Sequence, residues 1–258
     1  MKIGKDQVLL TGSAYNALAF SEMPTRKAPL IASKGVMHIE LDKLLPGASS
    51  VMPGMSTVST ACLKAAAAEY HISPDIKDYN IALIPALVSD IPNVNMQALQ
   101  AKELIRFLPD YGCQSYKTYV GKCLFQEHDN LDPRKSLGII LDASMAPVKK
   151  YGVARLSILA AYDRSKNARA AKRCLSPDTA YSMGCLCTTL QCSICGGVQG
   201  PAIERTCTCY DTDFKILASY GKIKNGVLHY NKGLAPLFFE QSIVNVPAEA
   251  TCFNGEVL

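Results

Sequence analysis

The stretch Phe125-Gln126-Glu127-His128-Asp129-Asn130-Leu131-Asp132-Pro133-Arg134-Lys135-Ser136-Leu137-Gly138-Ile139-Ile140-Leu141-Asp142-Ala143 decides how this 258-residue chain is read. Residues 116–125 and 137–143 have the apolar texture of strands, and the charged, proline-bearing segment 128–136 between them reads as a loop. Working outward, residues 80–89, 154–162 and 180–188 also read as strands, as do 214–217, 227–230 and 236–246. Helices are expected over 60–70, where Leu63 and the alanines at 65–68 are strong helix formers, over 96–108 and around 166–174. The expected class is α+β with a strand-dominated core. Residues 1–70, with short strands at 7–11 and 37–41 and a breaker-rich stretch at 46–54, form an N-terminal region without an assigned role. Residues 71–258 form the main domain, and 188–213 are a cysteine-rich insertion in it.

Composition narrows the function classes. Hydrophobic residues make up 48% and charged residues 19%, a balance that excludes a disordered tail and supports a sizeable core. The longest apolar run, 81–88, is interrupted by Pro85 and falls far short of the roughly 20 residues a membrane helix needs. The first residues, MKIGKDQVLL, carry charge where a signal peptide needs an apolar stretch, so neither export nor membrane insertion is expected. Net charge is +5 (27 basic against 22 acidic), the bases are scattered, and tryptophan is absent. A nucleic-acid groove is therefore not expected.

Cysteine is the informative count. Of eleven, Cys174, Cys185, Cys187, Cys192, Cys195, Cys207 and Cys209 crowd one stretch, while Cys62, Cys113, Cys123 and Cys252 are dispersed. Without an export signal, clustered thiols read as metal ligands before disulfides. The pattern Cys192-x2-Cys195-x11-Cys207-x-Cys209 offers two pairs of thiolates on tight turns, with Gly196 and Gly197 where a wrapping chain needs positive φ. Four sulfurs suit a structural Zn2+ with no open coordination position. Reduced thiols without metal, and disulfide or redox chemistry, are the competing readings, and Cys185 and Cys187 are spare donors.

Among four histidines, His128 stands out because it lies in a polar loop at a strand end, where a neutral imidazole serves as a general base. Ser182 opens a strand and is followed by Met183-Gly184, whose lack of a side chain leaves room for a substrate carbonyl. A surface histidine and an ordinary strand serine remain the bland alternatives.

Taken together, these segments resemble the prohead (head maturation) proteases of tailed bacteriophages. The loop around His128-Asp129-Asn130-Leu131-Asp132-Pro133 followed by Gly138-Ile139-Ile140-Leu141-Asp142-Ala143 resembles the family's histidine motif. Ala180-Tyr181-Ser182-Met183-Gly184-Cys185 looks like its serine strand. Cys192-Ser193-Ile194-Cys195-Gly196 is similar to a cysteine-rich insertion of large-phage members, and 238–248 looks like the closing strand. The likeness covers about residues 78–250. It departs at Cys207-Thr208-Cys209, where such insertions often end in C-x-H, and at 91–95, which only loosely follows the family's turn.

The resemblance implies a herpesvirus assemblin-like fold, a barrel-like strand core wrapped by helices with a zinc-stapled insertion. It also implies a serine endopeptidase that cuts phage scaffold and capsid proteins, and itself, after glutamate. Its place would be the host cytoplasm, inside the assembling prohead, as a homo-oligomer. Ser182 would be the nucleophile and His128 the base. The third member would be Glu240, a carboxylate among Phe238, Phe239 and Ile243, with Asp142 as runner-up; the alternative for Glu240 is a solvent-facing edge carboxylate. Ala67-Ala68-Glu69, Ala101-Lys102-Glu103 and Ala202-Ile203-Glu204 are the candidate self-cleavage triplets, the first placed to release residues 1–69. Two other classes stay open: a catalytically silent, zinc-stapled assembly protein of the phage head, and a redox or metal-dependent enzyme built on the cysteines.

Overall fold

The computed structural model describes residues 8–11, 60–200, 203–209, 223–224 and 226–247. The strands expected at 37–41 and 214–217 and the breaker-rich stretch 46–54 lie outside the described residues. Seven strands form the main sheet: β1 (Val8–Thr11), β2 (Tyr79–Val88), β3 (Cys123–Gln126), β4 (Gly138–Val148), β5 (Val153–Asp163), β6 (Ala180–Cys187) and β7 (Leu237–Val244). Their order is β1-β6-β7-β3-β4-β5-β2, and every pairing is antiparallel except β7 with β3. The sheet curls far enough for β2 to pack against β6. The hydrogen-bonded order nonetheless stays open, so among the described residues the expected barrel-like core is a strand-rich α+β sheet without closure.

Side-chain alternation explains why both faces are apolar. Along β4, Ile140 and Ala143 point into the inner cluster with Leu156, Ile158, Tyr162, Tyr181 and Phe238. Ile139 and Leu141 point outward with Phe125, Leu159 and Ala161. A strand buried on both sides reads as a continuous apolar run, and Ile139-Ile140-Leu141 is one. The outer cluster is covered by α1 (Thr60–Tyr70), whose Leu63, Ala66, Ala67 and Tyr70 fall at helical spacing on one face. Gly138 lets β4 approach β5, since a Cβ there would lie 1.9 Å from the Ala161 carbonyl oxygen. Among the described residues, wrapping by α-helices is limited to α1 and two short pieces, α2 (Ala101–Leu104) and α3 (Ala168–Arg173). No helix among the described residues is long and apolar enough to cross a membrane.

Two expected elements differ. The 96–108 helix is instead a strand at Gln97–Leu99, the single turn α2, and a strand at Phe107–Leu108. Met96 has φ 55° and Gln97–Leu99 pairs in parallel with Asn231–Gly233, so tertiary pairing overrides local helix preference. The strand expected over 116–125 begins only at Cys123, after a 3-10 turn at Ser115–Tyr119.

A second sheet of four short strands, in the order Val198–Gln199, Thr189–Cys192, Asn231–Leu234 and Gln97–Leu99, adjoins the first. Both elements described before residue 71 join the main body: β1 pairs with β6, and α1 covers the sheet. The Glu69–Tyr70 bond lies in the last turn of α1 beside buried Ala67 and Tyr70. A protease reads extended chain, so this triplet is shielded while α1 is folded. Glu103 is buried in α2, whereas Ile203 and Glu204 are exposed.

Candidate active site and thiolate cluster

The candidate active site is built by strand register. On β7, Phe238 pairs with Cys185 and Glu240 with Gly184, a bulge taking up Phe239 between them. A bulge shifts the alternation by one residue. Phe238 therefore lies in the inner cluster while Glu240, two positions on, emerges on the outer face opposite Gly184. Two residues further, Ser242 pairs with Ser182 on β6 and with Phe125 on β3. Directly paired residues share a face, so Ser182, Ser242, Gly184 and Glu240 lie together.

His128 reaches this face from a strained turn. After β3, Asp129 N–H donates to the Gln126 carbonyl (3.0 Å) across Glu127 (φ 49°) and His128 (φ 58°). Two consecutive left-handed positions make a mirror-image turn that normally takes Gly or Asn, at about 1–3 kcal/mol for each ordinary residue held there. Three bonds to β7 hold it in place. Glu127 N–H donates to the Ile243 carbonyl (3.0 Å), His128 N–H to Ser242 Oγ (3.2 Å), and His128 Nδ1 lies 2.7 Å from Glu240 Oε1. The far side of the loop is tied by Asp132, which accepts from Arg134 N–H (3.0 Å), and by Ser136, which donates to the Gly138 carbonyl (2.6 Å).

Glu240 is fully buried, and both its oxygens are engaged: Oε1 by His128, and Oε2 by the Ser242 hydroxyl (2.7 Å). Burial, the strongest single influence on His128, disfavours its charged form. The Glu240 charge and hydrogen bond, with Glu127 adding, together outweigh burial and raise the imidazole above its ordinary value. Within this group of side chains, His128 Nε2 and Ser182 Oγ are buried without a hydrogen-bond partner. Ser182 itself is 3% exposed.

Expected partners sort accordingly. Glu240, not Asp142, meets His128, and it is not a solvent-facing carboxylate. Asp142 accepts from Lys117 Nζ (2.7 Å) at a bulge in β4. Gly184 has a use beyond the expected one. A Cβ there would sit 2.5 Å from Glu240 Oε1 and from the Phe239 ring, so the missing side chain makes room for the carboxylate. Ser242 was not singled out in the sequence. Its signal was its position two residues after Glu240, on the same strand face.

The second cluster is local. The Cys192, Cys195, Cys207 and Cys209 sulfurs all lie within 4.8 Å of one another, and Cys195 and Cys207 are 3.5 Å apart. Sulfurs around a tetrahedral Zn2+ at ~2.3 Å sit about 3.8 Å apart, whereas a disulfide would need ~2.05 Å. Backbone N–H groups of Ile194 and Gly197 donate to the Cys192 and Cys195 sulfurs, each at 3.4 Å. Gly196 has φ 68°, and a Cβ on Gly197 would lie 2.6 Å from Cys207 Cα. Burial opposes the Cys195 thiolate, but hydrogen bonds led by the Gly197 N–H bring it down to about 7. Burial pushes Cys207 up to about 12. Four thiols so close could hold a metal ion, which would displace their protons.

Cys185 and Cys187, the spare donors, lie instead in the inner core, and neither joins the cluster. His229, fully buried with Nε2 3.4 Å from Cys192 Sγ, does reach it. No cysteine-like spacing marks it, and only the fold brings it there.

Comparison with family models, curated proteins and solved structures finds no match for this chain.

Proposed function

We propose that this protein is a serine endopeptidase in which Ser182 is the nucleophile, His128 the general base and Glu240 the group that orients it. The observation that carries the reading is the buried His128–Glu240 pair, with Nδ1 held at 2.7 Å while Nε2 has no partner, on the face that also holds the unpartnered Ser182 hydroxyl. Burying polar atoms without partners costs about 1–3 kcal/mol each, a cost that catalysis explains. In an unliganded site, nucleophile and base commonly tighten only when substrate binds. Ser182 Oγ attacks the peptide carbonyl, His128 Nε2 takes its proton and then delivers it to the leaving amine, and water repeats the cycle on the acyl-enzyme. Glu240 fixes the tautomer with the proton on Nδ1 and stabilises the imidazolium that forms. Ser242 holds Glu240 in place, and its own proton is committed there.

The substrates, phage scaffold and capsid proteins cut after glutamate within a prohead, follow from the motif resemblance, as do self-cleavage and homo-oligomer formation. Of the candidate self-cleavage triplets, the exposed Ile203-Glu204 is the accessible one. The four-cysteine site is read as a structural Zn2+ site. Its thiolates fill a tetrahedron and leave no position for substrate, which disfavours a metal-dependent enzyme.

The test is labelling with a fluorophosphonate, which reacts with activated serines. One adduct at Ser182, lost in His128→Ala, is expected. A folded protein that never labels supports the second reading, a catalytically silent, zinc-stapled assembly module, to which the absence of a Ser182–His128 hydrogen bond lends weight.

A further inference from the structure

Ser182 and Cys192 lie on consecutive strands, one in each sheet, joined by a bend at the single residue Thr188. β6 passes through Thr188 into Thr189–Cys192, and Asn231–Leu234 passes through Ala235 and Pro236 into β7. The two runs are antiparallel partners on both sides of the joint, where the ladder is interrupted at Cys187–Thr188 and Ala235–Pro236 but resumes in the same register. The rungs proceed from Ser182–Ser242 through Leu186–Leu237 and Thr189–Leu234 to Cys192–Asn231. The thiolate cluster therefore closes one end of a two-stranded ribbon whose other end carries Ser182, Glu240 and Ser242. Ten residues separate Ser182 from Cys192, about 33 Å of chain contour at ~3.3 Å per residue, bent at Thr188.

The closed end is tied across both strands. Ser193 N–H donates to the Tyr230 carbonyl (2.9 Å), and its hydroxyl donates to the Leu228 carbonyl (2.7 Å) while accepting from Tyr230 N–H (2.9 Å). His229 Nε2 touches Cys192 Sγ between these bonds. The joint at mid-ribbon is held as well. Ala235, with φ 46°, donates its N–H to buried Glu103 Oε2 (3.1 Å), and the Ser115 hydroxyl donates to the Pro236 carbonyl.

We infer that the metal-loaded thiolate cluster and His229 are positioning elements for the candidate active site, holding the register of the ribbon on which Ser182 faces Glu240 and Ser242. The word positioning rests on the peptidase reading; the mechanical link does not. His229 acts as the cross-strand hydrogen-bond donor to Cys192, and the metal fixes Cys192 against Cys195, Cys207 and Cys209. Without the metal, the ribbon frays from that end toward the Ser182–Ser242 rung.

The test is amide hydrogen exchange on the full zinc-loaded chain, before and after removal of metal by a chelator, and on His229→Leu and His229→Gln, with metal content measured in each. Removal is expected to speed exchange roughly tenfold or more over 189–192 and 231–234, and measurably over 180–187 and 237–244, with β4 and β5 unchanged. His229→Leu is expected to keep its metal yet exchange faster in the ribbon, and His229→Gln, which retains a donor, to restore protection. Acceleration confined to 193–209 would overturn the inference, because the cluster would then staple only its own loop. Equal acceleration of β4 and β5 would overturn it too, because the metal would then hold the whole fold. A ribbon that responds as expected in a protein whose Ser182 never labels would reject the peptidase reading alone.

Discussion

The thiolate cluster draws its four sulfurs from positions at most 17 apart (209 − 192), starting from the strand end at Cys192. The His128–Glu240 pair joins residues 112 positions apart, and Ser182 comes from a third segment between them. The first site needs glycines at tight turns, and from farther along the chain only the 228–231 segment that backs Cys192. The second needs a bulge at Phe239 to bring Glu240 to the outer face, a strained turn to bring His128 over it, and a glycine at 184 to admit the carboxylate. A local site of this kind is robust and readable. A site built from register and strain is sensitive to single side chains across the sheet.

The sharpest way to break the comparison is to remove the base. His128→Ala should lower peptidase activity by roughly 10^4-fold or more, with some loss of stability because the buried Glu240 carboxylate loses a partner, so the rate is compared on protein shown to be folded. A rate within tenfold of the parent, measured on a peptide with glutamate before the cut, would remove His128 from the chemistry.

Glu240→Gln should cost about 10^2- to 10^4-fold. It should also move the acid limb of the pH–rate profile. In the parent, the charge and hydrogen bond of Glu240 raise His128 against the opposing effect of burial, so the base is freed, and the rate rises, only as pH climbs through a value above 6.5. With the carboxylate gone, burial dominates and the limb should shift to lower pH. An unshifted limb would mean that His128 is not the group being titrated.

The cysteine site should behave differently. Cys192→Ser or Cys209→Ser should reduce bound zinc from one equivalent per chain to a small fraction, measured by elemental analysis, without altering which serine labels. Two or more equivalents, or none in the parent, would contradict a closed four-thiolate centre.

Gly184→Ala should destabilise the protein by about 1–3 kcal/mol, because the new methyl meets the Glu240 carboxylate and the Phe239 ring at 2.5 Å. It should also slow catalysis, and do so without any loss of bound zinc. The smallest effect belongs to the strained turn. Glu127→Gly should raise stability by about 1 kcal/mol in a denaturant titration by relieving a φ of 49°, and a loss would show that Glu127 holds the turn by some other means.

Legibility divides along the same line. The 60–70 helix, the β4 and β5 strands and the four-cysteine spacing could be read directly, because alternation, helix-forming alanines and turn glycines act over a few residues. His128, Ser182 and Glu240 could be singled out as residue types in motif-like segments. Their meeting depends on the β6–β7–β3 register, which no local pattern states. Gly184 has a second reason that could not be read, because its neighbour across the strands, Glu240 Oε1, is visible only in three dimensions. Ser242 and His229 were given no role for the same cause: each gains its use from a partner more than thirty positions away or from a shared strand face. The 96–108 segment misled because its helical spacing was real but weaker than pairing with Asn231–Gly233.

The most direct test of the central claim is an intact-mass time course of the zinc-loaded parent beside Ser182→Ala, at matched concentration and purity. The account predicts that the parent breaks into fragments ending in glutamate, with the Ile203-Glu204 site cut before the helical Glu69, and that the Ser182→Ala chain stays whole. Identical fragmentation of the two proteins would contradict it, because the cleaving nucleophile would then lie elsewhere.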